Sequence, residues 1–341
     1  ILLAFGIFVF PLLYVPLTSD PFNFPKEYLL YSLVLITAGL FLIPIFFHAE
    51  LSWRRTIFDI PFLILTVSFI ISTLLSKDRS ISFLGRPETF LQQASIFLAW
   101  ILWFFALAQT VTTPKIWRIM RGVVIASGQI VSLLFILKGL TFLPSYLRIG
   151  NYVSATNSHL GIFVAIMLIL QVGLTLTRQK IGYHLWYGLG SLMSLVVLFQ
   201  LGFTISWILA AVGLGLLIAL ALLRLTSVPL GAFFSCLILF IVSILVIIFG
   251  SPESWKTELP TEVALGAKAS WGVIANSEFS RGQVLIFGRG PATFPYVFAQ
   301  WRGREFNTTP LAENTYFDNP YNSLFGLVAE TGWIGLIVFL G

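Results

Sequence analysis

The sequence predicts an all-α membrane protein: a polytopic bundle of about ten transmembrane helices with one large outward-facing loop. Hydrophobic residues make up 57% of the 341 residues and charged residues only 10%, whereas a soluble domain carries about 25% charged residues. Apolar runs of about 20 residues, long enough to cross a bilayer, recur along the chain. Lipid is therefore the predicted solvent for most of this protein.

Apolar spans can be placed in order along the chain, and prolines mark many of the joints because proline lacks the N–H that a helix interior needs. The ten spans cover about 1–18, 28–48, 58–76, 91–110, 117–139, 158–177, 185–202, 205–223, 229–250 and 321–341. We therefore expect a helical bundle over 1–250, a large loop over 251–320 and a further helix over 321–341. Because the chain begins inside one apolar run and ends as another is barely complete, we expect a fragment with more helices after it.

Loop charges predict the topology of the bundle. Each loop is numbered after the span that it follows. The short even-numbered loops hold most of the clustered basic residues, which the insertion machinery tends to retain in the cytoplasm. These residues are Arg54, Arg55, Lys115, Arg118, Arg121, Arg178, Lys180 and Arg224. This assignment places the loop 251–320 outside. Within that loop, Ser270-Trp271 and the apolar spacing after it suggest a helix at the membrane surface. A loop packed on the helix ends fits the same residues equally well.

The composition also excludes several classes of function. The net charge of +6 comes from residues scattered between apolar runs, which is typical of membrane topology and not of a nucleic-acid groove. The single cysteine, Cys236, lies within an apolar run and the three histidines are far apart. This pattern argues against a disulfide framework, a metal site or a cofactor.

The large loop carries a cluster of arginines. Between Phe279 and Arg304 there are four arginines and no acidic residue, namely Arg281, Arg289, Arg302 and Arg304. Arginine presents a rigid fork of donors that matches phosphate or carboxylate oxygens. Arg86, on the same predicted side, can add to such an anion site or can pair with Glu88. Contact with anionic lipid headgroups is the simpler interpretation of the whole cluster.

Two further features lie near the arginines. Gly288-Arg289-Gly290-Pro291 predicts a turn, whose successive N–H groups can form an anion-binding concavity; an ordinary turn is the simpler interpretation. Glu330 lies within the last apolar span, where a carboxyl group needs a partner. It can pair with an arginine of the outer loops or cap the backbone at Gly332, and we favour this structural role over substrate binding.

The motifs of the loop, taken together, resemble those of the O-antigen ligase family. The similar elements are GRGPATF with the aromatic and arginine-rich stretch after it, the DNPYN segment, ETGWIGLIVFL, and the SFLGRPETF loop. The resemblance implies a metal-independent glycosyltransferase of the bacterial cytoplasmic membrane, active at the periplasmic face. Such an enzyme moves a glycan from a polyprenyl-pyrophosphate carrier to an acceptor hydroxyl on a lipid or another glycan. Arginines would hold the pyrophosphate, and Tyr321 and Asn322 would orient the acceptor.

The sequence departs from the family pattern in two places. Tyr321 stands where the family has a histidine before the asparagine, and a tyrosine is a poor base at neutral pH. Ser206-Trp207 begins a central span in which the family has an arginine. These departures fit either a divergent subgroup that uses other residues or a non-catalytic relative that binds a lipid-linked glycan. A transporter or flippase for a lipid-linked or anionic solute is a separate alternative.

Overall fold

The computed structural model describes most of the chain. The described residues are 2–18, 20–48, 54–86, 93–138, 151–154, 156–177, 181–223, 228–257, 259, 263, 265–278, 282–303, 306 and 317–340. All the regular structure within these ranges is helical. Of the predicted site residues, Arg281 and Arg304 lie outside them, as does Glu88.

Fourteen α-helices are described. Ten of them coincide with the predicted spans: α1 Leu2–Val9, α2 Asn23–His48, α3 Asp59–Leu75, α5 Ala94–Thr110, α6 Pro114–Leu137, α7 Asn157–Thr175, α8 Ile181–Leu201, α9 Thr204–Leu222, α10 Leu230–Phe249 and α14 Ser323–Leu340. Four shorter helices lie between spans: α4 Arg79–Leu84, α11 Ala267–Glu278, α12 Gly282–Phe287 and α13 Phe294–Trp301. Helix α11 occupies the segment in which the sequence favoured a helix.

Seven helices of the described residues are long and apolar enough to cross a membrane, so the chain is a multi-pass membrane protein. They are α2, α6, α7, α8, α9, α10 and α14. Helices α3 and α5 have 17 residues each, which at about 1.5 Å per residue falls slightly short of a hydrocarbon core of about 30 Å. Helix α1 ends early because Pro11 leads into a 3₁₀ turn over Phe10–Leu12. The count of about ten spans and the outward loop therefore stay predictions.

The chain forms two compact units, neither of which is continuous in sequence. The first contains Ile1–Pro16 and Thr113–Thr261, and hence α1 and α6 to α10. Helix α7 packs against both α8 and α9, and α9 packs against α10. Leu160, Val164 and Leu168 of α7 are completely buried, and their spacing of four residues forms one continuous apolar face.

The second unit contains Leu17–Thr112 and Glu262–Gly341, and hence α2 to α5 and α11 to α14. Helix α2 packs against α5, and α3 packs against α14. Phe69 of α3 stacks on Phe97 of α5 with ring centroids 4.1 Å apart, and Leu327 of α14 joins the same cluster. Helices α11 and α13 of the large loop share a separate core with the first half of α14, which includes Phe294, Phe298 and Val328.

Candidate functional site in the second unit

Helix α14 is broken at Gly332, and the break organises the polar residues of the second unit. Gly332 has a φ of 68° and a ψ of −170°, which interrupts the helical hydrogen-bonding pattern and leaves carbonyl groups without intrahelical donors. The turn after α12 supplies the missing donors. The Arg289 N–H donates to the Ala329 carbonyl at 3.1 Å, and the Gly290 N–H donates to the Glu330 carbonyl at 2.9 Å.

The same turn also holds the side chain of Glu330. The backbone N–H of Ala292 hydrogen-bonds the Glu330 carboxyl group, and Ala292 adopts a φ of 57° to do so. The Ser72 hydroxyl of α3 donates to the Glu330 carbonyl. The predicted anion-binding turn therefore binds acceptors of this same chain, two carbonyl oxygens and one carboxyl group. In this position Glu330 joins the turn to α14.

Arg289 points from this turn to the end of α11. Its Nε donates to the Ser277 hydroxyl at 2.5 Å, and its Nη2 donates to the Ser277 carbonyl at 2.9 Å. The guanidinium carbon lies 5.6 Å from the centroid of the Trp301 ring. Because the Ser277 side chain is completely buried, this arginine is held at the inner edge of the loop core, and its side chain is only partly exposed.

Arg86 and Arg302 also lie at the short helix α13. The exposed guanidinium of Arg86 lies 4.4 Å from the centroid of the Tyr296 ring, a distance at which the ring face attracts a cation. Arg302 is the residue that ends α13, and its guanidinium lies 5.8 Å from the ring of Phe306. Two of the five predicted arginines, Arg86 and Arg289, therefore lie near rings of one helix of eight residues that carries no charged side chain, and Arg302 directly follows that helix.

Tyr321 and Asn322 lie at the start of α14. The Tyr321 N–H donates to the buried hydroxyl of Ser270 at 3.0 Å, and the Tyr321 side chain is 55% exposed. The Asn322 Oδ1 accepts a hydrogen bond of 2.8 Å from the Phe325 N–H, so the asparagine caps the helix. The phenol of Tyr321 is therefore open to a ligand, whereas the Asn322 carbonyl oxygen already has a structural use.

Helix α11 sets the separation between these two groups of residues. Ser270 holds Tyr321 and Ser277 holds Arg289, and the two serines are seven residues apart on one face of the helix. Seven residues correspond to about two turns, or about 10 Å of helix axis. The structure thus places Arg86, Arg289 and Arg302 next to α13 and holds the Tyr321 backbone about two turns of α11 away from the contact of Arg289.

One cation that the sequence did not single out lies in the first unit. At the turn between α8 and α9, the aliphatic part of the Lys256 side chain covers Gly202, and its Nζ binds Glu253 at 2.6 Å. This turn leads into Ser206-Trp207, where the resemblance implies an arginine. The sequence signal was present in Trp255-Lys256, an aromatic and basic pair just after α10, and Trp255 packs on Phe199 near the end of α8.

His159 also lies in the first unit, in the first turn of α7. Its Nδ1 lies 2.6 Å from the Thr156 hydroxyl and 3.0 Å from the Ser154 hydroxyl. These bonds hold the ring against the residues that precede the helix, as expected for a polar side chain at a helix end.

Comparison with known proteins gives this chain no relative: it matches no family model, no curated protein and no solved structure.

Proposed function

We propose that this protein transfers a glycan from a polyprenyl-pyrophosphate carrier to an acceptor hydroxyl at the outer face of the bacterial cytoplasmic membrane. The observation that carries the proposal is that Arg86 and Arg289 lie near rings of α13, a helix without charges, and that Arg302 directly follows it. A pyrophosphate leaving group develops negative charge as the glycosidic bond breaks. Guanidinium groups stabilise that charge without a metal and stay ionised at every physiological pH.

The fixed positions of these arginines support a role in orientation as well as in charge. Arg86 rests on Tyr296, and Arg289 is anchored by two hydrogen bonds to Ser277. Side chains already held in place lose less conformational entropy when they bind a ligand. An arginine fork also favours the planar or tetrahedral oxygens of phosphate over a less structured anion.

Tyr321 completes the proposal as the residue that orients the acceptor. Its phenol is exposed and can donate a hydrogen bond to an acceptor oxygen. The serines that hold the Tyr321 backbone and the Arg289 side chain are about 10 Å apart along α11, and in this proposal the transferred sugar lies between Tyr321 and Arg289. In this mechanism the tyrosine positions the hydroxyl and does not act as a strong base.

The test is glycan transfer by the purified protein in lipid nanodiscs, with a polyprenyl-pyrophosphate oligosaccharide as donor and lipid or glycan acceptors. Because Arg86 is exposed, Arg86→Ala should fold normally and should lower turnover by about a hundredfold. Arg118→Ala, an exposed arginine of α6 in the first unit, is the matched control and should leave turnover unchanged. Equal losses in the two variants, or a wild-type protein that neither binds nor transfers the donor, would contradict the proposal.

A second candidate is a transporter for the same class of lipid-linked or anionic solute. It is favoured by the break in α14 at Gly332 with Glu330 beside it, because transporters bind solutes at discontinuous membrane helices. Proteoliposomes with a fluorescent polyprenyl-pyrophosphate glycan test this function. Movement of the label across the bilayer without product favours the transporter, and binding without movement or product favours a glycan-binding relative that lacks catalysis.

A further inference from the structure

A buried polar pair joins α2 to the N-terminus of α5 in the second unit. The Gln93 Nε2 donates to the Glu27 Oε1 at 2.6 Å, and the two residues are only 1% and 6% exposed. One turn further along α2, the Tyr31 hydroxyl lies 2.7 Å from the Ser95 hydroxyl. The α2–α5 interface is thus joined by two polar contacts.

The first of these contacts is incomplete. Glu27 Oε2 and Gln93 Oε1 are both buried and have no hydrogen-bond partner among the described residues. Both atoms are acceptors as long as the carboxyl group is ionised, and they belong to the two groups that are already joined by one hydrogen bond. A buried acceptor without a donor destabilises the fold, and more so when it is charged. The smallest addition that satisfies both oxygens is one proton.

We propose that Glu27 is protonated in the folded protein and forms a two-bond ring with Gln93, with the Glu27 Oε2–H donating to the Gln93 Oε1. The proton comes from solvent, and the ring pairs each donor with one acceptor: the acid O–H with the amide oxygen, and the amide N–H with the Glu27 Oε1. The pair then acts as a pH-sensitive latch between α2 and the start of α5.

The other charged groups near the pair have contacts of their own, so the proposed proton is assigned to Glu27. On α2 itself, Tyr31 lies near Glu27 and its hydroxyl contacts Ser95, and Lys26 interacts with Asp20 at the start of the unit. Helix α5 carries no charged residue.

The third element at the pair is the end of α4. Gly85 lies directly against the Gln93 side chain, so that a methyl group there would approach the Gln93 Oε1 to 2.8 Å. The two arginines of this segment have other contacts: the Arg79 Nε donates to the Leu74 carbonyl, and Arg86 lies over Tyr296. Gly85 directly precedes Arg86, so the pair lies beside the turn that presents this arginine.

Infrared spectroscopy of the purified protein at neutral pH tests the protonation directly. A protonated carboxyl group gives a C=O stretch that is resolved from the amide bands and shifts in D₂O. This band should lose intensity in Glu27→Gln and stay unchanged in Glu253→Gln, a control at an exposed carboxylate. An identical band in wild type and Glu27→Gln overturns the proposal, as does a Glu27 carboxylate that holds a water molecule or a cation.

Thermal unfolding supplies an independent test. The folded chain holds a proton that the unfolded chain releases at neutral pH, so wild-type stability should fall as the pH rises. Glu27→Gln retains both hydrogen bonds as an amide pair and should lose this part of the pH dependence. If Glu27→Gln does not fold, the infrared spectrum of Gln93→Met tests the proposal instead. Removal of the amide must move the C=O band of Glu27 to the frequency of an acid without an acceptor. A pH profile of Glu27→Gln parallel to that of wild type, or an unmoved band in Gln93→Met, rules the latch out. Both readouts are independent of glycan transfer, so their failure and that of the proposed function are distinguishable.

Discussion

Gly288 and Gly332, 44 positions apart in the sequence, lie where two backbone segments touch, and each packs against the residues just before the other. Both have positive φ angles, of 72° and 68°. A Cβ atom on Gly288 would overlap the Glu330 carbonyl group, and one on Gly332 would overlap the Ile286 carbonyl group. This double contact lets the turn after α12 reach the broken part of α14, and the hydrogen bonds of Arg289, Gly290 and Ala292 depend on that approach.

We therefore expect Gly288→Ala and Gly332→Ala each to destabilise the protein by more than about 2 kcal/mol. The left-handed conformation alone costs an alanine about 1–2 kcal/mol, and the overlap with backbone cannot be relieved by a side-chain rotation. Thermal unfolding in detergent measures the effect. Gly272→Ala is the matched control, because it lies in helix α11 with no atom near its Cβ position and should stabilise by up to about 1 kcal/mol. Unchanged stability of both test variants would contradict the contact.

The carboxyl group of Glu330 accepts a hydrogen bond from the Ala292 N–H. Glu330→Gln retains an acceptor oxygen at this position and should change the free energy of unfolding by less than about 1 kcal/mol. Glu330→Leu leaves the N–H without a partner and should cost about 1–3 kcal/mol. Equal stabilities for the two variants in a denaturation experiment would mean that the hydrogen bond does not matter to the fold.

Asn322 caps α14 through the Phe325 N–H. Asn322→Ala should destabilise by about 1 kcal/mol, and Asn322→Asp should retain the cap, because aspartate accepts the same bond. If Asn322 acts only as a cap, glycan transfer by Asn322→Asp should equal that of wild type. A loss of transfer in Asn322→Asp with unchanged thermal stability would instead show that the amide contacts the acceptor.

Lys138, just after α6, should make stability depend on pH. Its Nζ lies 3.6 Å from the centroid of the Phe135 ring, and burial lowers the pKa of its ammonium group from 10.5 to about 8. The unfolded chain thus binds more protons than the folded chain between these values, and stability rises with pH there. Below pH 8 the full penalty for burying the charge remains.

The comparison of wild type with Lys138→Met isolates this effect. The variant should be more stable than wild type at neutral pH, and the difference should shrink as the pH rises from about 8 towards 10. Melting temperatures measured across this range check it. A difference that stays constant with pH would show that the lysine is hydrated in the folded protein.

The positions of the helices followed from local features of the sequence. Lipid forces each crossing segment to be apolar and to satisfy its own backbone, which leaves a visible run of residues such as Leu230–Phe249. Prolines then mark the ends, although Pro11 stops the first helix earlier than its apolar run suggested. The arginines of the large loop were also visible, because a segment with four of them and no acid stands out in so apolar a chain.

The partners of these residues were decided by the tertiary structure. The sequence left open whether the Gly288–Pro291 turn binds a foreign anion, and the fold directs its N–H groups to Ala329 and Glu330. The sequence suggested that Asn322 orients the glycan acceptor, whereas in the fold its side-chain oxygen caps a helix. No feature of the sequence indicated that Glu27 and Gln93 would meet. Each of these contacts joins groups whose approach depends on backbone angles and on the packing of separate helices. Hydropathy and spacing indicate only whether a segment lies in lipid or in water.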